Sequence, residues 1–404
     1  MNRLTIFLVM CIFSFSGHGN SKDTLEYESW ENRPKEAFTE PKESFEKVKQ
    51  MLLKQYYQKG LTEADVYRAA VKGMLENLDP KMSEWNRLLS PVEQIEMRND
   101  VAGEIVGAGV EIKFDSESGQ AEVLGIVPGS PASSADVKAG DRILSVNGNF
   151  YKGKHLRDVV YDIRGKVGEK RNLSLLRHDK VISRSIALKR LTYANVTHGL
   201  LPGGIGLLSI NYFTNSTASQ IREALLALLA KKVSGLVIDL RGNEGGLFEA
   251  ATASAELFLS KGKPVVRIAR RDTTEEILSS APVPVIQNLR IVLLVNEQTS
   301  SGAEIFSAAL KENLGATLVG THTHGKWSVQ KVEELPNKYA AKFTVGLMTS
   351  ANGNNYAQKG LPPDIEVNLN AEEVEKFKRI TDLEKRLAVD NQLRTAVSLL
   401  RGRT

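Results

Sequence analysis

The sequence is poor in cysteine, and its single cysteine lies at the N-terminus. Cys11 is part of the apolar run Leu4 to Phe15, which follows Asn2-Arg3 and precedes a short stretch of small and polar residues. A charged, an apolar and a small-residue segment in this order are typical of a secretory signal peptide. We therefore expect residues 1–19 to be removed, leaving a mature chain without disulfides, cysteine nucleophiles or zinc–thiolate sites.

Strong charge of one sign and long apolar runs are also missing. The formal net charge is only +5 over 404 residues, with basic and acidic residues interleaved. The absence of a long basic block argues against nucleic-acid binding, and the N-terminal apolar run is too short to span a membrane. The sequence predicts a soluble, exported protein of the periplasm or another extracytoplasmic compartment, and not an integral membrane protein.

Hydrophobic periodicity and turn signals divide the rest of the chain. Helical spacing from Phe45 to Leu78 gives way to short β-type runs separated by P-G-S-P, A-G-D and N-G turns, and from Gly203 onward strands alternate with helices. Such alternation indicates an α/β core. The expected segments are a flexible lead-in at 20–40, a helical region at 41–98, a β-domain at 99–190, an α/β core at 191–370 and a helical packing or dimerisation tail at 371–404.

The stretch from Asn296 to Gln330 carries the candidate chemistry. An apolar strand ends at Val295, and Ser300 and Ser301 stand just before a segment of helical periodicity. Helix N-termini present backbone N–H groups without intrahelical partners, and these stabilise negative charge. Lys326 follows 25 residues after Ser301, so we predict a serine nucleophile activated by a lysine.

A lysine can act as a base only when it is neutral, which requires burial away from water and carboxylates. Trp327 and Val329 are apolar, and no acidic residue occurs between Gly315 and Lys331. If residues 326–330 are extended, Lys326 and Gln330 share a face. Gln330 could then orient the lysine amine without adding charge.

The ordered motifs resemble those of the C-terminal processing peptidases, also called tail-specific proteases, which are exported serine peptidases with a PDZ domain. The resemblance covers most of the mature chain and is carried by G-M-L-E-N-L-D-P at 73–80, the PDZ-like segment, I-R-G-K-V-G at 163–168, V-I-D-L-R-G-N-E-G-G at 237–246, V-N-E-Q-T-S-S-G-A-E at 295–304, G-T-H-T-H-G-K-W-S-V-Q at 320–330 and G-L-P-P-D-I-E-V at 360–367. It implies a crotonase-like (ClpP/crotonase-type) α/β peptidase core with an inserted PDZ domain and flanking helical segments, and a homodimer.

The resemblance also implies roles for individual residues. Ser301 would be the nucleophile, Lys326 the general base and Gln330 the residue that orients it. The oxyanion hole would use the backbone N–H groups of Gly302 and Gly246, with Gly245 as the less favoured donor. No cofactor or metal is expected.

The PDZ resemblance rests on a glycine loop and on the segments I-V-P-G-S-P-A and A-G-D-R-I-L-S-V-N-G. The loop, Gly107, Ala108, Gly109 and Val110, is expected to bind the C-terminal carboxylate of a protein substrate through backbone N–H groups, while the substrate adds a strand to the sheet. Arg164 is a candidate for coupling this capture to the catalytic site, the alternative being a surface arginine at a turn. An activating adaptor is a further conceivable partner.

Some residues depart from the family pattern or support other chemistry. Glu244 replaces a proline, Trp327 replaces a glycine, and Ser300 competes with Ser301 by position. The histidines at 322 and 324 would also fit a serine–histidine hydrolase with Asp239 as third member, or a metal pair.

Two further alternatives exist. The P-loop-like run ending at Lys326 lacks the following Ser or Thr, so nucleotide binding is rejected. A catalytically impaired PDZ-containing binding or scaffold protein is the alternative to an active serine endopeptidase.

Overall fold

The computed structural model describes residues 39–402 with short gaps at 80–84, 92, 95–96, 99–103, 116–117, 128, 152–155, 193–194, 282, 371–372, 374–379 and 381. The expected signal peptide and nearly all of the predicted lead-in lie outside the described residues. The chain forms two compact units. Among the described residues, Lys331–Phe343 joins the chain up to Ser90 in one unit, whereas Pro91–Gln330 and the chain from Thr344 onward form the other.

The smaller unit contains two helices and a short strand pair. Helices α1 (Pro41–Gln55) and α2 (Glu63–Asn77) are followed by strand β1 (Arg87–Leu89), which pairs with residues 340–342. Thr62 caps α2 by accepting a hydrogen bond from the Asp65 N–H and donating its own N–H to the Asp65 carboxylate. The helical periodicity predicted from Phe45 to Leu78 is confirmed, with a break between the helices.

A β-domain opens the larger unit. Its strands are β2 (Glu104–Gly107), β3 (Val110–Asp115), β4 (Gln120–Ile126), β5 (Arg142–Val146), β6 (Asn149–Phe150), β7 (Lys170–Arg177), β8 (Lys180–Ala187) and β9 (Lys189–Thr192), and its helices are α3 (Pro131–Ser134) and α4 (Leu156–Ile163). One sheet has the order β3-β4-β5-β7-β8 with β6 on β5, while β2 pairs with β9. Alternating apolar residues of β4, β5 and β7 fill the core with Val159 of α4. Strand β3 lies at the edge of its sheet.

The rest of the larger unit is the expected alternation of strands and helices. Its elements are β10 (Val196–Leu201), β11 (Ile205–Ile210), α5 (Thr217–Ala230), β12 (Gly235–Asp239), α6 (Phe248–Glu256), β13 (Pro264–Arg270), β14 (Glu276–Ser279), β15 (Arg290–Val295), α7 (Gly302–Leu314), β16 (Thr317–Gly320), β17 (Ser328–Glu334), β18 (Ala340–Ser350) and β19 (Ile365–Glu366). The main sheet has the order β10-β11-β12-β15-β16-β19 and is parallel except at β10. Parallel strands place their carboxyl ends at one edge, which is where ligands bind in such sheets.

Both faces of the central sheet strands are buried. Leu208, Ile238 and Leu293 face a core that includes α5, α6 and α7. Their chain neighbours point to the opposite face, where they pack against the C-terminal helices α8 (Leu383–Val389) and α9 (Asn391–Arg401). The tail therefore packs on the core, in agreement with the packing role, one of the two roles (packing or dimerisation) predicted for it.

The sequence reading missed strand β18, which pairs antiparallel with β13 between Val266–Arg270 and residues 346–350. Its polar and apolar residues alternate, but Gly346 interrupts the pattern and the strand follows a loop without a clear period. In the described part of the chain, no helix has both the length and the apolar character to cross a membrane.

Candidate active site

Ser301 stands at a sharp turn between strand β15 and helix α7. Its backbone has φ +54° and ψ −117°, a conformation that costs a residue with a Cβ about 1–3 kcal/mol and is usually left to glycine. The preceding Ser300 is buried, donates its N–H to the Asn243 carbonyl and accepts from the Ala303 N–H. Ser301 is less buried than Ser300 and stands directly before the first turn of α7. The backbone strain is therefore at Ser301 and not at Ser300, the competing candidate for the nucleophile.

The buried carboxylate of Glu304 connects the serine turn to the lysine loop. Its Oε2 accepts the N–H of Ser301 at 2.8 Å and that of Lys326 at 2.9 Å. Its Oε1 accepts the Thr323 hydroxyl at 2.5 Å and the Gly325 N–H at 2.7 Å. Ser301 and Lys326, 25 residues apart in the chain, are thus held on the same carboxylate oxygen.

The environment of this carboxyl group acts on its pKa in two directions. Burial of Glu304, which is fully inaccessible to solvent, raises the pKa. The hydrogen bonds from Thr323, Gly325, Ser301 and Lys326 oppose the rise because they stabilise the ionised form. The backbone of the lysine loop therefore lies against a carboxylate, contrary to the prediction that this loop is remote from acidic groups. The acidic group comes from the helix that follows the serine.

The glycine turn after strand β12 packs directly on the serine turn. Gly245 has φ +101°, and a Cβ built on it would lie 2.7 Å from the Ser300 carbonyl and 2.9 Å from the Ser301 Cβ. Gly245 donates its N–H to Asn243 Oδ1 at 2.9 Å, and its carbonyl accepts the Phe213 N–H at 2.7 Å. Only a glycine permits this approach of two backbones.

Two backbone N–H groups near Ser301 have no acceptor among the described residues. They belong to Gly246, the next residue of the glycine turn, and to Gly302, the first residue of α7. The N–H of Gly245 is already bonded to Asn243. Of the two glycines considered for the second oxyanion donor, Gly246 therefore has the available group.

Lys326 and Gln330 lie before and within strand β17. Lys326 is partly buried, and the Gln330 Nε2 donates to the Ser328 hydroxyl at 2.7 Å. Ser328 is itself buried. The structure thus shows Gln330 bonded to Ser328, which lies midway between Lys326 and Gln330 in the chain.

Trp327 is a core residue. Its side chain is 1% exposed and packs against Tyr356, with ring centroids 5.5 Å apart. A side chain so deeply buried does not line an open substrate channel. Glu244, the other residue that departs from the family pattern, lies in the glycine turn and is partly buried.

The alternative chemistries find no support in the described residues. The side chains of His322 and His324 are exposed, and the described part of the chain contains no cluster of three or more potential metal ligands. The carboxylate of Asp239 accepts hydrogen bonds from Arg241 and Arg386, so it is engaged by arginines instead of a histidine. A strand, not a helix, follows the P-loop-like segment.

In the β-domain, the loop from Gly107 to Val110 leads into the edge strand β3. The carbonyls of Ala108 and Gly109 accept hydrogen bonds from Ala132 and Val127. Gly109 has φ +78°, and a Cβ on it would lie 2.2 Å from the Ser130 Cβ. These contacts fix the loop through its carbonyls at the open edge of the sheet. Arg164 follows α4, and its carbonyl accepts two hydrogen bonds from the Arg171 side chain.

Comparison with known proteins identifies the family. A model of Peptidase family S41 matches residues 204–367, and a PDZ domain model matches residues 122–177. The carboxy-terminal processing protease CtpA of Bacillus subtilis (strain 168) is 31% identical over 326 residues, which are 80% of this chain and 68% of that protein. This chain belongs to peptidase family S41. The predictions of a C-terminal processing peptidase relative, of a serine-type peptidase and of a PDZ domain are confirmed at this level.

Further relatives of this S41 chain agree. A CtpA-like serine protease of Staphylococcus aureus (strain MRSA252) is 31% identical, over 80% of this chain and 64% of that protein. The photosystem II D1 C-terminal processing protease is a structural neighbour with 27% identity and a TM-score of 0.54, covering 86% of this chain and 91% of that one. An S41 protease from Bacteroides fragilis NCTC 9343, at 20% identity and a TM-score of 0.55, shares the fold over 87% of this chain and 92% of its own.

Two side chains of this S41 site were missed from the sequence. Glu304 stands three residues after Ser301, the spacing of a capping box, so S-x-x-E was a visible signal. Asn243 is buried within the glycine turn, and its Nδ2 donates to the Ile210 carbonyl while its Oδ1 accepts the Gly245 N–H. Nothing in a single sequence marks an asparagine in a glycine-rich turn as the residue that shapes it.

Proposed function

We propose that this chain is a serine endopeptidase in which Ser301 is the nucleophile and Lys326 the general base. The observation that carries the proposal is the strained backbone of Ser301 at a helix N-terminus, tied through Glu304 to the backbone of Lys326. Backbone strain of this kind persists where the surrounding contacts enforce it, and it concentrates at functional sites.

In the proposed mechanism, neutral Lys326 removes the Ser301 hydroxyl proton as the Oγ attacks the carbonyl carbon of the scissile peptide bond. The carbonyl oxygen becomes an oxyanion, and the N–H groups of Gly246 and Gly302 donate to it. When the C–N bond breaks, Lys326 returns the proton to the leaving amine. A water molecule then hydrolyses the acyl-enzyme with Lys326 again as the base, which restores Ser301.

For Gln330, we propose that it orients the lysine amine. Its hydrogen bond to Ser328 supports this role because it restrains the Gln330 side chain next to the lysine loop. A relay from Gln330 through the Ser328 hydroxyl would position the lysine amine with uncharged groups only, which do not stabilise its charged form as a carboxylate would.

The PDZ domain is proposed to select substrates with accessible C-termini. The open edge of β3 and the loop Gly107–Val110, whose carbonyls are engaged elsewhere, support capture of a terminal carboxylate by backbone N–H groups. Cleavage would occur upstream of the captured end. The same proposal includes a homodimer, an activating adaptor, and coupling of peptide capture to the catalytic site through Arg164.

The proposal also includes export after removal of residues 1–19, a periplasmic or other extracytoplasmic location, the segment boundaries given from the sequence, and a crotonase-like peptidase core. The charged, apolar and small-residue order at the N-terminus supports export. The parallel sheet between helical layers supports the assignment of the core.

Cleavage of an unstructured test protein by the wild type and three variants tests the assignment. Ser301→Ala and Lys326→Ala should abolish cleavage, whereas the neighbour substitution Ser300→Ala should retain it. Labelling with a fluorophosphonate should follow the same order. Cleavage that survives Ser301→Ala but not Ser300→Ala would reassign the nucleophile, and cleavage unaffected by any substitution would refute the site.

The PDZ role is tested separately with a peptide in two forms. Amidation of its C-terminus removes the carboxylate and should weaken binding to the Ser301→Ala protein. Equal binding of the free and amidated peptides would refute carboxylate capture. A wild-type protein that binds the free peptide but cleaves no substrate would favour the binding or scaffold alternative.

A further inference from the structure

Four charged side chains form a buried cluster where strand β12 meets the C-terminal tail. Asp239 and Arg241 flank the end of β12, and Arg386 and Asp390 belong to the tail. Their side chains are 8%, 7%, 18% and 0% exposed, in that order. The two arginines and two aspartates balance in charge, so the cluster is neutral as a whole.

Arg241 is the centre of this cluster. A guanidinium has five N–H donors in a fixed plane, and here each has an acceptor. The Nε and one terminal nitrogen donate to the Asp239 carboxylate, and the terminal nitrogens donate to both Asp390 oxygens at 3.0 and 2.8 Å. The remaining donor reaches Gln392 Oε1 at 3.0 Å. Two of its three partners therefore come from the tail.

Arg241 is also the first residue of the glycine turn that packs on the serine. After it, Gly242 donates its N–H to Asn296 Oδ1 at 2.9 Å, and the Asn243 carbonyl accepts the Ser300 N–H at 2.9 Å. The turn ends at Gly246, whose N–H has no acceptor among the described residues. Arg241 is thus the anchor at the start of the turn that carries this N–H, in addition to the contacts of the turn with Asn296 and Ser300.

A buried ion cluster contributes little net stability, because desolvation of the charges offsets their attraction. The bidentate pairing of Arg241 with each aspartate fixes both the plane and the direction of its guanidinium.

We propose that Asp390 is a positioning residue for the peptidase reaction, acting through Arg241 to hold the turn Arg241–Gly246 against Ser301. The C-terminal tail then completes the active site in addition to covering the sheet. This inference rests on the proposed function, in which the Gly246 N–H stabilises the oxyanion.

The test uses Asp390→Asn in the full chain, with Asp382→Asn as the matched control. Asp390 caps α9 by accepting the Leu393 N–H at 3.0 Å, and an asparagine retains this cap. Asp382 caps α8 in the same way but is exposed and bonds to Glu384 and Lys385 of its own helix. The two substitutions thus make the same chemical change at two neighbouring caps, of which only one holds Arg241.

We expect Asp390→Asn to lower kcat about 10- to 100-fold, the range for a small misplacement of a catalytic group, while KM stays within about twofold. Asp382→Asn should leave both constants near wild type. If Asp390→Asn does not fold, Gln392→Met removes one of the five acceptors and keeps both carboxylates, and its kcat should fall by a smaller factor. A folded Asp390→Asn protein with the kcat of the control would overturn the proposal.

Amide hydrogen exchange gives a readout that does not depend on activity. Asp390→Asn should speed exchange in the segment 241–247 relative to Asp382→Asn, while the first strand of the parallel sheet, Ile205–Ile210, should be unchanged. Unchanged exchange in the turn would overturn the positioning role even if activity fell. If wild type cleaves no substrate, the proposed function fails, and the exchange comparison still decides whether the tail holds the turn.

Discussion

Replacement of Glu304 tests whether one carboxylate assembles the active site. Its two oxygens accept four hydrogen bonds, from Ser301, Thr323, Gly325 and Lys326. Glu304→Gln retains the shape but turns one acceptor oxygen into a donor. The side-chain amide can adopt two orientations, which differ in the acceptor position that its oxygen occupies. The free-energy cost of the substitution depends on the orientation.

The favoured orientation keeps the oxygen towards the serine. The new NH2 group then faces Gly325 and Thr323, and the Thr323 hydroxyl can rotate to accept from it. The Thr323 oxygen already accepts the Leu361 N–H at 2.7 Å, so its second lone pair would take this bond. Among the backbone donors of Glu304, only the Gly325 N–H then loses its acceptor, which costs about 1–3 kcal/mol. The opposite orientation would leave the N–H groups of both Ser301 and Lys326 facing a donor, at about twice that cost.

Glu304→Ala removes all four bonds at once. Three backbone N–H groups lose their acceptor, that of buried Gly325 and those of partly buried Ser301 and Lys326. The cost is up to about 1–3 kcal/mol for each, and the strained turn at Ser301 loses the contact that enforces it. We therefore expect the order of activity wild type, Glu304→Gln, Glu304→Ala. The loss should be about tenfold for the amide and at least about 100-fold for alanine.

The assay measures kcat and KM for an unstructured protein together with the midpoint of thermal unfolding. Glu384→Gln is the matched control, because Glu384 also stands in the first turn of a helix but is exposed. Labelling of Ser301 by a fluorophosphonate reports the nucleophile alone and should slow in the same order. A folded Glu304→Ala protein with wild-type kcat would refute the argument that this carboxylate assembles the site.

Three further predictions address the glycine turn, the PDZ domain and the core. Gly245→Ala should inactivate the enzyme and lower the unfolding midpoint, because its Cβ would lie 2.9 Å from the Ser301 Cβ at a φ of +101°; full activity would contradict the packing. Hydrogen bonds from Arg184 and two other basic residues lower the pKa of Asp136 to about 2. The contribution of the ionised Asp136 to the free energy of unfolding is therefore complete above about pH 4 and is lost as the pH falls through about 2. Thermal unfolding between pH 5 and 2 should therefore depend less on pH in Asp136→Asn than in wild type, and equal slopes would contradict this. Trp327→Phe should destabilise less than the about 3–5 kcal/mol expected for Trp327→Ala, because it also removes an indole N–H that is buried without a partner among the described residues; denaturant unfolding that ranks them in the opposite order would contradict it.

The parallel part of the fold was predictable because its strands are continuous apolar runs. The strand Gly235–Asp239 is buried at every position, so its sequence has no polar residue before the aspartate. Strand Ala340–Ser350 was missed for the opposite reason. Its side chains are buried or partly buried on both faces, so burial alternates only weakly along the strand. Its partner strand β13 lies far away in the chain, so no local signal marks the pairing.

The site was predictable to the extent that each motif is continuous. Ser301, Lys326 and the glycine turn each stand in a motif of a few residues, and their order along the chain carried the resemblance. The choice between Gly245 and Gly246 as donor required the structure, because it depends on which N–H Asn243 occupies. The link from Asp390 to Arg241 spans 149 residues and has no local signal.

Glu304 shows why a visible motif can still conceal its function. The spacing S-x-x-E predicts that the glutamate caps its own helix, and it does accept the Ser301 N–H. A cap of this kind needs one oxygen and is normally exposed. Here the side chain is fully buried, and a buried carboxylate requires partners for its remaining lone pairs. The loop Thr323–Lys326 supplies them, so the desolvation of one carboxylate requires the lysine loop to close on the serine turn. The same burial that makes the carboxylate costly thereby links the backbone of Ser301, the proposed nucleophile, to that of Lys326, its proposed base.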